Sequence, residues 1–406
     1  MERAGVRPMT TVQQADELIQ AQVRNYGTER VPFELAVGRV LAEDLTADRD
    51  MPAFNRVTMD GIAISYNDFK NGAREFHIAG TQAAGEPPID IDANGQCVEI
   101  MTGAVMPQSV DTVIRYEDVE MNGSTALILV DQIEQGQNLH LRGRDRKQGD
   151  VVATKGTLIT PALINTIASV GKTEVLVNKQ PRVVIISSGD ELVEVNETPS
   201  PWQIRRSNSY TLKAVLQQYG LTADMRHIPD EPQQTRESIG HCLENYDVIL
   251  LSGGVSMGKF DYIPRALEEL SVAKIIHKVQ QRPGKPFWFG ASADGVLVFA
   301  FPGNPVATFM GAYRYFIPWL QASVGMQTKQ PVYAVLSEDF TFKPELQYFL
   351  QVQLGYTTEG KLTAKPIAGN GSGDFANLAD TDAFMELPLE KTTFKAGEVY
   401  RVWLFK

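Results

Sequence analysis

Between residues 181 and 320 the chain alternates short, mostly apolar runs with longer amphipathic segments, and this alternation limits the fold more than any other feature. Residues 183–187, 223–228, 248–252, 274–279 and 296–301 read as strands, while 209–219, 234–244, 262–270 and 305–320 read as helices. Strands without a polar face are covered on both sides, and strands separated by helices pair in parallel. The expectation is a doubly wound α/β domain that binds ligands beyond the carboxyl ends of its strands.

At 406 residues the chain exceeds one ordinary core, so further domains flank this one. Residues 11–26 read as an amphipathic helix: Thr11 and Gln14 have capping-box spacing, Val12, Ala15, Leu18, Ile19 and Val23 make an apolar face, and Gly27 ends it. From 48 to 145 the character changes to short β-like runs punctuated by Gly, Pro, Asn and Asp. A second helix follows at 161–170, with Thr160 as N-cap, Pro161 at the first position and Gly171 past the end. Packed with the first helix, it would make the β segment an insertion in one helical unit. After residue 328 the runs 332–336, 349–354 and 399–405 read as strands of a separate β domain. The expected division is a helical linker domain (1–47 plus 146–178), a β-rich insertion (48–145), the α/β domain (179–327) and a C-terminal barrel-like β domain (328–406).

A net charge of −11 without a Lys/Arg-rich block argues against a nucleic-acid partner. Cys97 and Cys242 are the only cysteines, and no CxxC or HExxH spacing occurs. That leaves neither a disulfide framework nor a zinc site, and fits a reducing, cytoplasmic compartment. No run approaches the ~18 consecutive apolar residues of a membrane helix, so no membrane partner is expected.

Three strands of the α/β stretch end in polar or glycine-rich loops: 187–191 (Ser-Ser-Gly-Asp-Glu), 252–258 (Ser-Gly-Gly-Val-Ser-Met-Gly) and 302–305 (Pro-Gly-Asn-Pro). Glycines let backbone N–H groups approach an anion closely. Each loop alone is equally a tight strand-to-helix turn; three together point to a ligand site. Neither a Walker ending nor GxGxxG is present. Asp190, Glu191, Asp230 and Asp261 fall on the same side of the sheet, and carboxylates beside phosphate oxygens are the environment that Mg²⁺ uses. Asp261 also stands where an N-cap would, and Asp230 sits in a Pro-flanked turn. Lys278, Arg282 and Lys285 gather three cations at a strand end of an otherwise acidic chain, which favours phosphate binding over a merely solvated face.

In order along the chain, Thr58-Met59-Asp60-Gly61-Ile62-Ala63, Met101-Thr102-Gly103-Ala104, Arg142-Gly143-Arg144-Asp145, Ser188-Gly189-Asp190-Glu191-Leu192, Ser252-Gly253-Gly254-Val255-Ser256, Arg282-Pro283-Gly284-Lys285-Pro286 and Phe301-Pro302-Gly303-Asn304-Pro305-Val306 resemble the motifs of the molybdopterin molybdenumtransferase family, also called MoeA, which includes the gephyrin E domain. The resemblance covers nearly the whole chain. It implies an L-shaped homodimer with the site between the molybdopterin-binding α/β domain of one subunit and the β insertion of the other. It implies a reaction of adenylylated molybdopterin with molybdate, assisted by Mg²⁺, that yields molybdenum cofactor and AMP. The molybdopterin adenylyltransferase is a further implied partner. By position, Asp60 and Thr102 are similar to the second subunit's catalytic contribution, with Arg142 and Asp145 as substrate contacts. Glu191, Asp230 and Asp261 are similar to the metal and phosphate carboxylates, Lys278, Arg282 and Lys285 to the anion clamp, and Ser252, Gly253, Gly254, Ser256, Pro302, Pro305 and Ser372 to the substrate-binding lining.

The chain departs from the family pattern at residues 54–58 (Phe-Asn-Arg-Val-Thr), at Arg144 where Glu is common, at Arg206 where Asp is common, and at Arg282 where Lys is common. Leu346 and Gln351 stand where the family often has two arginines suited to molybdate. The expectation is that Arg144 or Arg206 replaces that charge. Two other readings compete: a homologue that binds the molybdopterin nucleotide without inserting metal, and a scaffolding protein. The second is disfavoured by the lack of a long linker or tail.

Overall fold

The computed structural model describes residues 9–92, 94–254, 262–327, 330–367 and 375–406. Two compact units form: residues 1–42, 156–161 and 174–406 make the first, and 43–155 with 162–173 the second.

The first unit is built on a six-stranded sheet in the order Ala223–Ile228, Val183–Ser188, Val248–Ser252, Leu297–Phe301, Trp288–Ala291, Ala273–His277. The first four strands are parallel, as the unbroken apolar runs imply. Alternate residues feed two cores. Val183, Ile185, Val248, Leu250, Leu297 and Phe299 pack on one side with Leu212 and Leu216 of the helix Asn208–Gln218 and with Phe316 and Trp319. Val184, Ile186, Ile249, Leu251 and Val298 pack on the other with Ile239 and Cys242 of Pro232–Asn245 and with Ile263 and Leu267 of Tyr262–Glu269. The sheet is therefore doubly covered.

Its far edge is antiparallel. Trp288–Ala291 lies between Ala273–His277 and Leu297–Phe301 and runs against both. Sequence reading misses this strand because it is four residues long and holds Gly290, whose missing side chain leaves room for Trp288 and the Ala273 carbonyl. The N-terminal helix is shorter than expected. The Thr11/Gln14 capping box opens Val12–Gln20, but the helix stops at the cap residue Ala21 well before Gly27.

Also within this unit, five strands close a barrel: Gln347–Tyr356, Leu362–Pro366, Val332–Leu336, Val399–Leu404 and Ala383–Leu387, the last returning to pair with the first. Closure removes the sheet edges, and Leu336, Leu350, Val352, Met385 and Phe394 fill the inside. Gln281–Arg282 adds a short parallel strand to Gln347–Tyr356, which ties the barrel to the loop carrying Arg282 and Lys285.

The second unit holds another six-stranded sheet, in the order Thr112–Arg115, Gly61–Ile64, Gln96–Ile100, Glu75–Gln82, Thr125–Ile128, Val119–Asn122. One face packs Ile62, Phe69, Phe76 and Ile114, the other Val57, Ala63, Val98 and Val113. Both cysteines are free and buried, and burial pushes the Cys97 thiol up to about 12. Among the described residues no helix is long and apolar enough to cross a membrane.

Candidate functional site

At the carboxyl end of the parallel strands, the polar side chains form a linked set. The Ser188 hydroxyl donates to Asp230 Oδ1 at 3.0 Å, and the Asp230 N–H donates to Asp190 Oδ1 at 3.1 Å. Asn208 Nδ2 donates to both Ser252 Oγ and the Gly303 carbonyl at 2.9 Å, bridging two of the three loops. The third is joined through Gly253. Its φ of +95° suits glycine, and a Cβ there would stand 3.1 Å from the Ser188 carbonyl.

Ser188, Asn208, Ser252 and Gly303 line a cavity of about 110 Å³ together with Glu191, Arg206, Gly253 and Pro305. Arg206 pairs with Glu194 at 2.6 Å and is almost wholly covered. That fork uses only part of a guanidinium with five donors. A larger cavity of about 520 Å³ lies at the amino end of the same sheet. Its ionic groups already have protein partners: Arg182 pairs with Asp247 at 3.0 Å, Glu29 with Arg39, and Asp224 accepts from the Tyr246 hydroxyl. Parallel sheets place ligands at the other end.

The cations follow from strand register. Ser252 pairs with Phe301, while Ala300, Trp288 and His277 lie on the preceding rung. Lys278, whose N–H donates to the Phe287 carbonyl at 2.9 Å, is therefore level with Ser252 three strands away. At ~4.8 Å per strand this is roughly 14 Å, a span suited to an extended ligand rather than to one small ion. Lys278 adopts a left-handed φ of +70°, unusual for a non-glycine residue. Arg282 and Lys285 are exposed on the following loop, and Pro302 is buried in the Phe301–Pro305 turn.

In the second unit, Asp60 Oδ1 accepts from the Thr102 N–H at 2.6 Å. That bond, followed by one to the Thr102 side chain, holds the exposed Asp60 carboxyl below the usual carboxylate range. Arg142 Nε donates to Asp50 at 2.6 Å, and Asp145 accepts from His140 at 2.9 Å. Arg144 is exposed in this unit, whereas Arg206 lines the cavity of the first.

Asp261, Ser256 and Ser372 lie outside the described residues. Among the described ones, no three His, Cys, Asp or Glu side chains come together to hold a metal ion. Glu191 and Asp230 offer hard oxygen donors at the ends of neighbouring loops, a chemistry that fits Mg²⁺ rather than zinc. Leu346 packs against the barrel core, and Gln351 donates to the Thr381 hydroxyl at 3.4 Å.

Sequence reading missed Asn208 and Asp50. Asn208 is the first residue of its helix, where Asn ordinarily signals a cap; here its side chain crosses to two other loops instead. Asp50 lacks a local motif and gains its meaning only from Arg142, far along the chain.

A doubly covered sheet whose three carboxyl-end loops are linked and line one cavity is the arrangement of an α/β domain that binds its ligand at that end. Three family models match the chain in order: the MoeA N-terminal region (domain I and II) over residues 10–171, a probable molybdopterin binding domain over 184–322, and the MoeA C-terminal region (domain IV) over 333–405. The molybdopterin molybdenumtransferase of Synechocystis sp. is 39% identical over 395 residues, covering 97% of this chain and 99% of its own. That of Bacillus subtilis is 33% identical over 389 residues, covering 93% and 90%. A crystal structure of the molybdopterin biosynthesis moeA protein from Pyrococcus horikoshii OT3 matches with a TM-score of 0.82 at 27% identity, covering 98% of this chain and 100% of that one. The chain belongs to the MoeA family of molybdopterin molybdenumtransferases, and is a transferase of molybdenum cofactor biosynthesis.

Proposed function

We propose that the protein is a molybdenum insertase that converts adenylylated molybdopterin and molybdate to molybdenum cofactor and AMP. The observation that carries this reading is the rung shared by Ser252 and Lys278, which sets a glycine-rich cradle and a cation roughly 14 Å apart along one end of the sheet. That spacing suits a ligand with a pyrophosphate in its middle.

Cleaving a pyrophosphate depends on orientation and on neutralising charge rather than on a protein nucleophile. Ser252, Gly253 and Gly254 offer close backbone approach at one end. From the other end, Lys278, Arg282 and Lys285 reach toward the phosphates and neutralise them. Glu191 and Asp230, with Asp261, would hold a divalent cation, which supplies Lewis-acid polarisation of phosphate oxygens when bound. Asp60, kept ionised by Thr102, together with Arg142 and Asp145 completes the site from a second copy in a homodimer. The four-domain division and a cytoplasmic setting belong to the same reading, as does supply of substrate by the adenylyltransferase.

For molybdate itself, Arg206 is the replacement for the charge that Leu346 and Gln351 lack. It lines the cavity beside Glu191, and Glu194 fixes its fork. Arg206→Ala is expected to raise the molybdate concentration for half-maximal product about tenfold, the size of one lost charge-assisted contact. An unchanged molybdate dependence would remove Arg206 from the site. A nucleotide binder without insertase activity would instead give the same calorimetric titration with adenylylated molybdopterin whether or not molybdate is present.

A further inference from the structure

Gln281 is only 1% exposed, a neutral amide at the base of the loop that carries Arg282 and Lys285. A buried amide left without partners costs about 1–3 kcal/mol, so the destination of its bonds is informative. Its Nε2 donates to the Gly284 carbonyl at 3.3 Å, which closes the turn on itself. Its Oε1 accepts from the Tyr315 hydroxyl, which ties the turn to the helical run that follows Pro305. Tyr315 is fixed in turn: it is buried, and its ring stacks on Phe287 with centroids 4.8 Å apart and planes 14° apart. Burial pushes its phenol up, so it keeps its proton and donates.

The backbone agrees with the side chains. The Val279 N–H donates to the Lys285 carbonyl at 2.9 Å, making 279–285 a closed excursion. Gly284, at a φ of +83°, has no room for a side chain beside the amide: a Cβ would lie 3.0 Å from Gln281 Nε2 and 3.3 Å from Met310. Gln281 thus faces inward and Arg282 outward on consecutive residues.

We propose that Gln281 and Tyr315 are positioning residues that set where Arg282 and Lys285 meet the substrate phosphates. This role rests on reading those two cations as the anion clamp. Neither residue touches the ligand; each acts through the turn. The pair needs no charge of its own, so it aims the clamp without weakening it.

The test measures kcat, KM for adenylylated molybdopterin and Tm in full-length Tyr315→Phe, Gln281→Met and the double variant, with Arg282→Ala alongside. Tyr315→Phe is expected to raise KM on the order of tenfold with kcat at saturation little changed, because a misplaced clamp weakens binding first. Gln281→Met, which also loses the bond to the Gly284 carbonyl, should raise KM at least as much, and the double variant no more than Gln281→Met, since the Tyr315 tie is already cut in it. If Tyr315→Phe lowers Tm while KM stays at the wild-type value and Arg282→Ala raises it, the pair is merely structural and the proposal fails. If Arg282→Ala also leaves KM unchanged, the clamp reading itself falls and takes the proposal with it. Should Gln281→Met not fold, Tyr315→Phe alone decides.

Discussion

The double variant Arg282→Ala/Lys285→Ala is expected to lose about 10³-fold in kcat/KM for adenylylated molybdopterin while its Tm stays within a degree or two of the parent, both on the order-of-magnitude scale for lost phosphate contacts. Both side chains are exposed, so removing them opens no cavity. Arg282 lies 6.0 Å from the Phe342 ring, a weak contact for stability. Two charge-assisted contacts to phosphate are together worth several kcal/mol when water is excluded, and they share one ligand, so their losses need not add. Steady-state kinetics and a melting curve on the same preparation check this. A normal kcat/KM would leave the cations as a solvated surface.

The second large effect falls on stability. Gly61→Ala is expected to cost about 3 kcal/mol or more and to lower the Tm by roughly 10 °C. Gly61 begins the buried strand Gly61–Ile64, flanked by Thr112–Arg115 and Gln96–Ile100. A Cβ there would stand 1.9 Å from the Ile114 carbonyl oxygen and 2.8 Å from Arg115 Cα. Both are backbone atoms of a paired strand and cannot swing aside as a flexible side chain would. Strain at Gly61 would also displace its neighbour Asp60 from Thr102. Thermal unfolding measures the first effect, and a Tm equal to the parent's would mean that the strand can shift without cost.

How far the sequence foretells the structure depends on the range of each interaction. Val183–Ser188 and Val248–Ser252 announce themselves because a strand buried on both faces must be apolar at every position. Thr11 and Gln14 foretell a helix start because a capping box is local. The barrel was only partly legible: Ala383–Leu387 and Leu362–Pro366 were not read as strands, and closure depends on pairings between Tyr348 and Leu387 that no local pattern encodes. Trp288–Ala291 was too short to read.

The candidate site divides along the same line. Ser252-Gly253-Gly254 and Arg282-Pro283-Gly284-Lys285 stand out because glycine and charge are visible one residue at a time. The level placement of Lys278 with Ser252 comes from register across four strands and was out of reach. So were the Asn208 bridge and the Tyr315–Gln281 bond, each of which joins residues tens of positions apart. For Arg206, the sequence showed an unexpected charge; the cavity and the Glu194 partner explain how that charge is held.

The most direct measurement of the central claim is AMP release from adenylylated molybdopterin by the pure protein with Mg²⁺, with and without molybdate, together with assay of the molybdenum cofactor formed. The account predicts AMP release that depends on molybdate and matches cofactor formed one for one. Tight binding of the nucleotide with no molybdate-dependent AMP would contradict it.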